Sequence, residues 1–281
     1  MILVIGANGT VGSQVVHQLL EAGQKVRVLV RDPSKGAKHG AAVEVIAADL
    51  ARPESLGAAF AEVEKAFLLS TGPDGIEING IDAAKAAGVK HIVKLSTMGF
   101  GPERAPLAIG GWHRPVEAYL EASGLAWTIL RAGGFSANAL GWATSIKTQG
   151  AAFAATGDGK VAVIDPRDLA AVAVTTLTRP GHEERRYELT GPEALSFAEQ
   201  VSLIGAAIGR PLRFVDVPPE AARDAMLQTG MPAPLAERML EVMAAIKSGR
   251  GATVSSDVEK VLGRKPRTFA AWAQENAAAF K

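Results

Sequence analysis

The first residues able to do chemistry are the glycines of Gly6-Ala-Asn-Gly9-Thr-Val-Gly12, set directly behind the apolar run Ile2–Ile5. In such a triad the first glycine lets the chain turn sharply off a strand. The middle one lets backbone approach a pyrophosphate, and the last lets helix and strand pack closely. The helix start then offers unpaired N–H groups and a partial positive charge to the phosphates. A tight turn chosen only for packing would use the same residues. The tip of the second apolar run selects the cofactor, because an acid there holds a ribose 2′-hydroxyl whereas an Arg accommodates a 2′-phosphate. That run reads Val28-Leu29-Val30-Arg31-Asp32, with Lys35 close behind. The planar fork of Arg31 suits a phosphate, so NADPH is preferred over NADH. A solvated Arg31 paired with Asp32, or an Asp32 turned toward the ribose to give dual specificity, stays open. Asp49 and Leu50 follow the third strand and are placed to flank adenine, although Asp49 before Pro53 serves equally as a helix N-cap.

Ligands of open parallel sheets bind beyond the C-terminal strand ends, so the reaction end is sought there. Ser70-Thr71-Gly72 follow the fourth strand and Ser96-Thr97 the fifth; they line the cofactor path or cap their strands. Short-chain dehydrogenases usually place Tyr-x-x-x-Lys on the helix after the fifth strand, as a proton donor that supplies ~10²–10⁴-fold in rate. Of the 2 Tyr here, Tyr119 is followed at that spacing by Ser123 and Tyr187 by Gly191. That counts against plain ketone or alcohol chemistry. It leaves acceptors that stabilise the incoming electron pair themselves, namely quinones, azo compounds and cationic dyes. The same helix carries His113 and Glu117, which share a face. His113 is the candidate proton donor, with Glu117 orienting it; the plainer alternative is a helix-capping His113 and a Glu117 paired with a nearby cation. The stretch Arg131-Ala-Gly133-Gly134-Phe135-Ser-Ala-Asn138 is flexible enough to fold over a nicotinamide, with Phe135 as an apolar wall, or is a simple linker. His17, His39, His91 and His182 show no metal-type spacing, and no metal is expected.

These residues need a scaffold that brings strand ends together, and the pattern supplies one. Short β-branched runs at Ile2–Ile5, Lys25–Val30, Val43–Ala47, Lys65–Ser70, Val89–Ser96 and Leu125–Leu130 alternate with helical patterns. Nearly continuous apolar strands indicate a parallel sheet covered on both faces. The fold class expected is α/β: a Rossmann-type doubly wound parallel sheet, with a smaller, mainly helical C-terminal substrate lobe. The boundary is placed at residues 1–131 for the nucleotide-binding domain and 132–281 for the lobe, of which about 161–190 returns to the sheet. The charged residues balance, 30 Lys+Arg against 29 Asp+Glu, with 48% hydrophobic residues and 0 Cys. That composition excludes disorder, a general field for nucleic acid and thiol or iron–sulfur chemistry. Glycine stands at 30 of 281 residues, about 11% against a usual ~7%, so some glycines serve the backbone. No signal peptide and no run of the ~18–20 apolar residues that a membrane span needs is present, and a cytoplasmic protein is the default. A homodimer is compatible with all of this.

Taken together, the chain resembles the NmrA-like, atypical short-chain dehydrogenase/reductase family. The resemblance rests on GANGTVG at 6–12, VRVLVRD at 26–32, GVKHIVKLS at 88–96 and HRPVEAYLEASGLAWTILRAGGF at 113–135. It extends through DPRDLAAVAVTTL at 165–177 and YELTGPEALSFAEQ at 187–200. The distal part looks like the substrate lobe of the triphenylmethane-dye reductases, NADPH quinone reductases and NADPH azoreductases of this group. The resemblance implies NADP contacts at Gly6, Asn8, Gly9, Thr10, Val11 and Arg31, and nicotinamide-side contacts in the 132–136 loop. It departs from the family at Ala132-Gly133, where Pro-Gly or Asn is common, and at Asn8, where Thr is commoner. It implies an NADPH-dependent reductase of a conjugated, electron-poor aromatic acceptor. The family also holds members that bind the dinucleotide without catalysis and act as redox-sensing regulators, which is the second reading.

Overall fold

Most of the apolar runs become strands buried on both faces, while Val43–Ala47 lies half-exposed at the sheet edge. The computed structural model describes residues 1–70, 75–99 and 111–281; Thr71 and Gly72, expected on the cofactor path, lie outside them. Strands β1 (Ile2–Ile5), β2 (Val26–Val30), β3 (Val43–Ala47), β4 (Lys65–Leu68), β5 (His91–Thr97) and β6 (Ala126–Ala132) pair in parallel. Further on, β7 (Ala151–Ala154) and β8 (Lys160–Val161) stay outside that sheet, while β9 (Arg185–Leu189) joins it beside β6. The order is β3-β2-β1-β4-β5-β6-β9. It reverses direction between β1 and β4, and that is where open parallel sheets bind ligands.

Alternate residues of each strand feed opposite cores, as a period of two requires. Ile2 and Val4 pack on one side with α1 (Thr10–Glu21), whereas Leu3 and Ile5 pack on the other. That other layer holds α2 (Leu56–Phe60), α3 (Glu77–Ala86) and α4 (His113–Ala122) through Leu56, Ile81, Val116 and Leu120. After α5 (Ala143–Gln149), helix α6 (Pro166–Thr178) lies against α1 and shares its core. Helix α6 and strand β9 thus both lie with the large sheet. The strand expected over Val161–Ile164 is shorter: β8 pairs antiparallel with β10 (Leu195–Ser196), and Ile164 makes only a single bridge to Phe135.

The C-terminal part builds a third core from Ile146 of α5, Ile204 of α7 (Phe197–Ile208), and Phe269 and Trp272 of the last helix. Beside it run β11 (Arg213–Asp216), α8 (Pro219–Gln228) and α9 (Ala233–Lys247). Strand β11 pairs with β7 in a small parallel sheet. The chain ends with α10 (Asp257–Leu262) and α11 (Phe269–Glu275). Helix α10 packs back on α6 and β9, placing Val258 in the sheet's own core.

Candidate functional site

The glycine turn sits at the switch point. Gly6 has φ +81, and a Cβ there would lie 2.6 Å from the Leu69 carbonyl oxygen. A Cβ at Gly12 would lie 2.1 Å from the Gly6 carbonyl oxygen. The protein's own packing therefore demands both. Gly9 differs: it is exposed, and its nearest neighbour for a Cβ is Gly6 O at 3.5 Å, an ordinary contact. Internal packing does not explain this glycine, whereas close approach of a ligand to the backbone does. Gly9 is also the N-cap of α1, with no side-chain cap and no acid in the first turn. Its orphan N–H groups and positive end are thus left for an anion. Asn8 and Thr10 are exposed beside it, while the Val11 side chain packs inward on the core.

Arg31 stands exposed just past β2. The Asp32 carboxylate accepts from Ser34 N at 3.0 Å and Ser34 Oγ at 2.7 Å, starting a 3-10 helix, Pro33–His39. These hydrogen bonds, with Lys35 nearby, hold Asp32 below the usual carboxylate range. The Arg31–Asp32 pairing considered from sequence does not form; Asp32 Oδ1 accepts from Ser34 instead. Among the described residues the Arg31 guanidinium makes no ion pair. Lys35 is exposed on the same segment. Sequence reasoning missed the next two basic residues. Lys38 Nζ donates to the Asn8 carbonyl at 3.2 Å, and His39 Nε2 lies 3.0 Å from Asn8 Oδ1. The segment after Arg31 thereby touches the glycine loop itself, which only its basic composition hinted at.

Asp49 and Leu50 fare differently from expectation. Asp49 Oδ1 accepts from Ala51 N at 3.0 Å, while its N–H donates to Ser55 Oγ at 3.0 Å, so it shapes the turn into Pro53–Ser55. It does not cap that helix, whose N-cap is Arg52. Leu50 is buried and its side chain packs in the core beside Gly80.

At the reaction end the expected pair divides. Glu117 is buried and accepts from the Ser96 hydroxyl, from Arg131 Nη2 at 2.6 Å and from Arg114 Nη1 at 3.3 Å. Burial on its own raises the Glu117 carboxyl, but Arg131 and Ser96 outweigh it and keep the group low. Ser96 therefore donates its hydroxyl proton to Glu117, and Glu117 makes no hydrogen bond to His113. His113 belongs to a separate cluster: Lys94 Nζ lies 3.2 Å from its Nδ1 and 2.6 Å from Glu77 Oε2. The other Glu77 oxygen accepts the Ser70 N–H at 2.9 Å, which places Ser70 at the lip of the switch point. Burial pushes Lys94 down against the pull of Glu77. For Glu77, burial pushes up, but the adjoining His113 and Lys94 prevail and lower it. Lys94 was missed, although a Lys inside the apolar run His-Ile-Val-Lys-Leu is itself the signal.

Beyond the ends of β5, β6 and β9 opens a cavity of about 380 Å³, lined in part by Met98, Gly133, Gly134, Thr190 and Arg250. Gly133 donates its N–H to Leu189 O at 2.9 Å, and a Cβ on it would come 3.2 Å from Ala162 O. The glycines thus let β6 pass close to the second lobe while walling the cavity. Phe135 is not among its lining residues: it packs against the sheet's core instead of forming an apolar wall.

With this geometry in hand, comparison with known proteins is informative. The family described as NAD(P)H-binding matches residues 6–180. The chain is 44% identical to the NAD(P)H azoreductase of Xenophilus azovorans over 284 residues, covering 100% of this chain and 99% of that protein. The NADPH complex of the NADPH-dependent quinone oxidoreductase QOR2 from Escherichia coli superposes with TM-score 0.88 at 29% identity. It covers 98% of this chain and 99% of its own. The Citrobacter sp. triphenylmethane reductase complexed with NADP(H) gives TM-score 0.84 at 28% identity, covering 98% and 99%.

Proposed function

The chain belongs to the NAD(P)H-binding family, in its NmrA-like group of atypical short-chain dehydrogenase/reductases, and from that premise we propose an NADPH-dependent reductase of conjugated, electron-poor acceptors. Quinones, azo compounds and dye-like molecules form that substrate class. The observation that carries the proposal is the cradle at the switch point. Gly9 is left bare by the protein's own packing, the first turn of α1 is uncapped, and among the described residues Arg31 has no acidic partner. A dinucleotide with a 2′-phosphate fits each of these features.

NADPH, when bound, supplies the hydride. The α1 N-terminus and the Gly6–Gly12 backbone hold the pyrophosphate. Arg31 would hold the 2′-phosphate, with Lys35 and Lys38 adding positive charge beside it, while burial and the Lys38 charge keep His39 below the ordinary imidazole value. Gly133 and Gly134 bound the cavity in which the acceptor lies against the strand ends. The acceptor's own conjugation takes the electron pair. Tyr119 is exposed and donates to Asp82 at 2.7 Å, and Tyr187 lies 2.9 Å from His182 Nδ1; neither is needed as an acid.

The test is loss of 340-nm absorbance when the purified chain meets NADPH and a benzoquinone, an azo dye or a triphenylmethane dye. Turnover with any of them is the expected result. NADPH binding without turnover on all three favours the second reading, a non-catalytic NADP-binding regulator. The proposal places the chain in the cytoplasm, checked by cell fractionation, and as a homodimer, checked by light scattering.

A further inference from the structure

The cavity beyond β5, β6 and β9 carries a charge that its shape does not require. Its walls are largely the backbone of Gly99, Gly133, Gly134 and Gly251, with Ala162. Such walls suit a flat ring and carry no charge. Among the described lining residues only Glu188 of β9 and Arg250 of the second lobe are charged, and they form no ion pair with each other. Glu188 is matched nearby. It stands opposite Arg131 in the β6–β9 register, and opposed residues on one sheet face are neighbours. Arg131 and Arg114 share a single acid, Glu117, so a positive charge is left over beside Glu188. Asp257, whose Oδ2 accepts the Glu188 N–H at 3.0 Å, is paired with Lys260 at 2.8 Å. Arg250 has no such match: among the described residues it makes no ion pair.

Arg250 is also held in place. Its N–H donates to Ala245 O at 3.0 Å, and that of Gly249, at φ +83, donates to Ile246 O at 2.9 Å. That is the paired bonding that ends a helix on a left-handed glycine. Ser248 Oγ donates to Ala245 O at 2.9 Å and accepts the Arg250 Nε–H at 3.1 Å. Beyond Arg250, the Gly251 carbonyl accepts from Ala162 N at 3.1 Å, and Ser255 N donates to Thr190 Oγ1 at 2.9 Å. The loop is thus tied to the cavity wall on both sides of Thr253, which lines the same cavity and adds an exposed hydroxyl. Among the described residues, both terminal nitrogens of Arg250 are left without a partner. A guanidinium so disposed matches the geometry of an oxyanion.

We propose that Arg250 is a specificity-determining residue that binds an oxyanion substituent of the acceptor, a sulfonate, carboxylate or phosphate group, with the Thr253 hydroxyl as a second donor. The role rests on the reductase reading and narrows it. The conjugated ring lies along the glycine wall, its charged group reaches Arg250, and cationic dyes are disfavoured.

The experiment compares a naphthoquinone with its sulfonate, carboxylate and phosphate-ester derivatives, and with a cationic triphenylmethane dye, at saturating NADPH. It uses the unaltered chain, Arg250→Ala and Arg250→Lys. Each acceptor is read as its kcat/KM ratio between unaltered chain and variant, in which intrinsic reactivity cancels. Arg250→Ala should lower kcat/KM for the anionic acceptors ~10-fold or more, mainly through KM, the scale of hydrogen bonds to a charged group. The uncharged parent should lose far less, and the cationic dye should gain. Arg250→Lys, which keeps the charge without the fork, should lose less than Arg250→Ala. The derivative that loses most names the group. Equal losses on charged and uncharged acceptors overturn the proposal. So does an NADPH affinity that falls as far as the anionic acceptors do, which would assign Arg250 to the cofactor. Binding is read apart from turnover: naphthalenesulfonate titrated into the complex with oxidised NADP should bind Arg250→Ala ~10-fold more weakly than the unaltered chain. Absent turnover with that difference intact sinks the reductase reading alone, whereas equal or absent binding overturns the role of Arg250.

Discussion

Arg31 and Gly9 are the residues on which cofactor choice and cofactor binding turn. With Asp32 held by Ser34, the Arg31 guanidinium is left for the ribose end. Arg31→Ala should weaken NADPH by ~1.5–3 kcal/mol, the scale of hydrogen bonds to a charged group, and NADH far less. Calorimetry on both nucleotides checks this, and equal losses would mean that Arg31 does not read the phosphate. The glycines allow a sharper comparison. At Gly12 a Cβ would sit 2.1 Å from a backbone oxygen, whereas at Gly9 it would sit at 3.5 Å. Gly12→Ala should therefore damage folding itself. Gly9→Ala should fold, losing less than ~1 kcal/mol at the helix cap, yet bind NADPH at least ~10-fold more weakly, which is 1.4 kcal/mol. A Gly9→Ala protein that binds NADPH normally would remove the reason given for that glycine.

At the scale of elements, legibility followed burial. The central strands, buried along their length, read as unbroken apolar runs, and β1 lies where the sequence placed it, as does the half-exposed edge strand β3. The second lobe was harder because β7 and β11 are short and lack a clear period, and α10 belongs to the sheet's core by contact rather than by pattern. The candidate site shows the same limit. A four-residue spacing places His113 and Glu117 on one helix, but their partners come from β5, β6 and α3, which no local pattern reveals. Glu117 thereby becomes a tie between three elements: α4 carries it, β5 supplies Ser96 and β6 supplies Arg131. Glu117→Gln leaves Arg131, only 18% exposed, without its counter-charge. Removing one partner of a buried pair costs ~3–5 kcal/mol, and the partial exposure of Arg131 argues for the lower end, ~3 kcal/mol. Urea melts that fail to move would show that this tie contributes nothing to the fold.

Across the molecule, His91, Glu77, Glu117 and Asp165 act in one direction as pH falls. His91 is buried, and its Nε2 lies 2.9 Å from Thr128 Oγ1, a hydroxyl that donates to His182 O at 2.6 Å. The hydroxyl must therefore accept from Nε2–H, and Nδ1 is left without a partner. Burial first, then the Lys65 charge, lowers His91 from 6.5 to about 4, with Glu183 opposing and His182 adding slightly. An unfolded imidazole takes up its proton near ~6.5, so between those values the unfolded chain binds more protons and the folded state loses stability. Integrated from about pH 7 to 4.5, the loss is on the order of 2–3 kcal/mol. The carboxylates come later. Glu77, Glu117 and Asp165 all sit below their ordinary values despite burial, so their contribution persists until the pH passes below the unfolded carboxylate range, ~4. Asp165 matters for the second lobe, because with Asp168 it binds Arg267 and Arg264 from the C-terminal segment. Acid should thus act in two stages: a fall between about pH 6.5 and 4 from His91, then a steeper one from the carboxylates. Chemical denaturation across that range in the unaltered chain and in His91→Gln separates the stages. The variant should fall less in the first window, where His39 and His182 also lie below the ordinary imidazole value, and run parallel in the second; parallel curves from about pH 7 downward would show that His91 does not set the first stage.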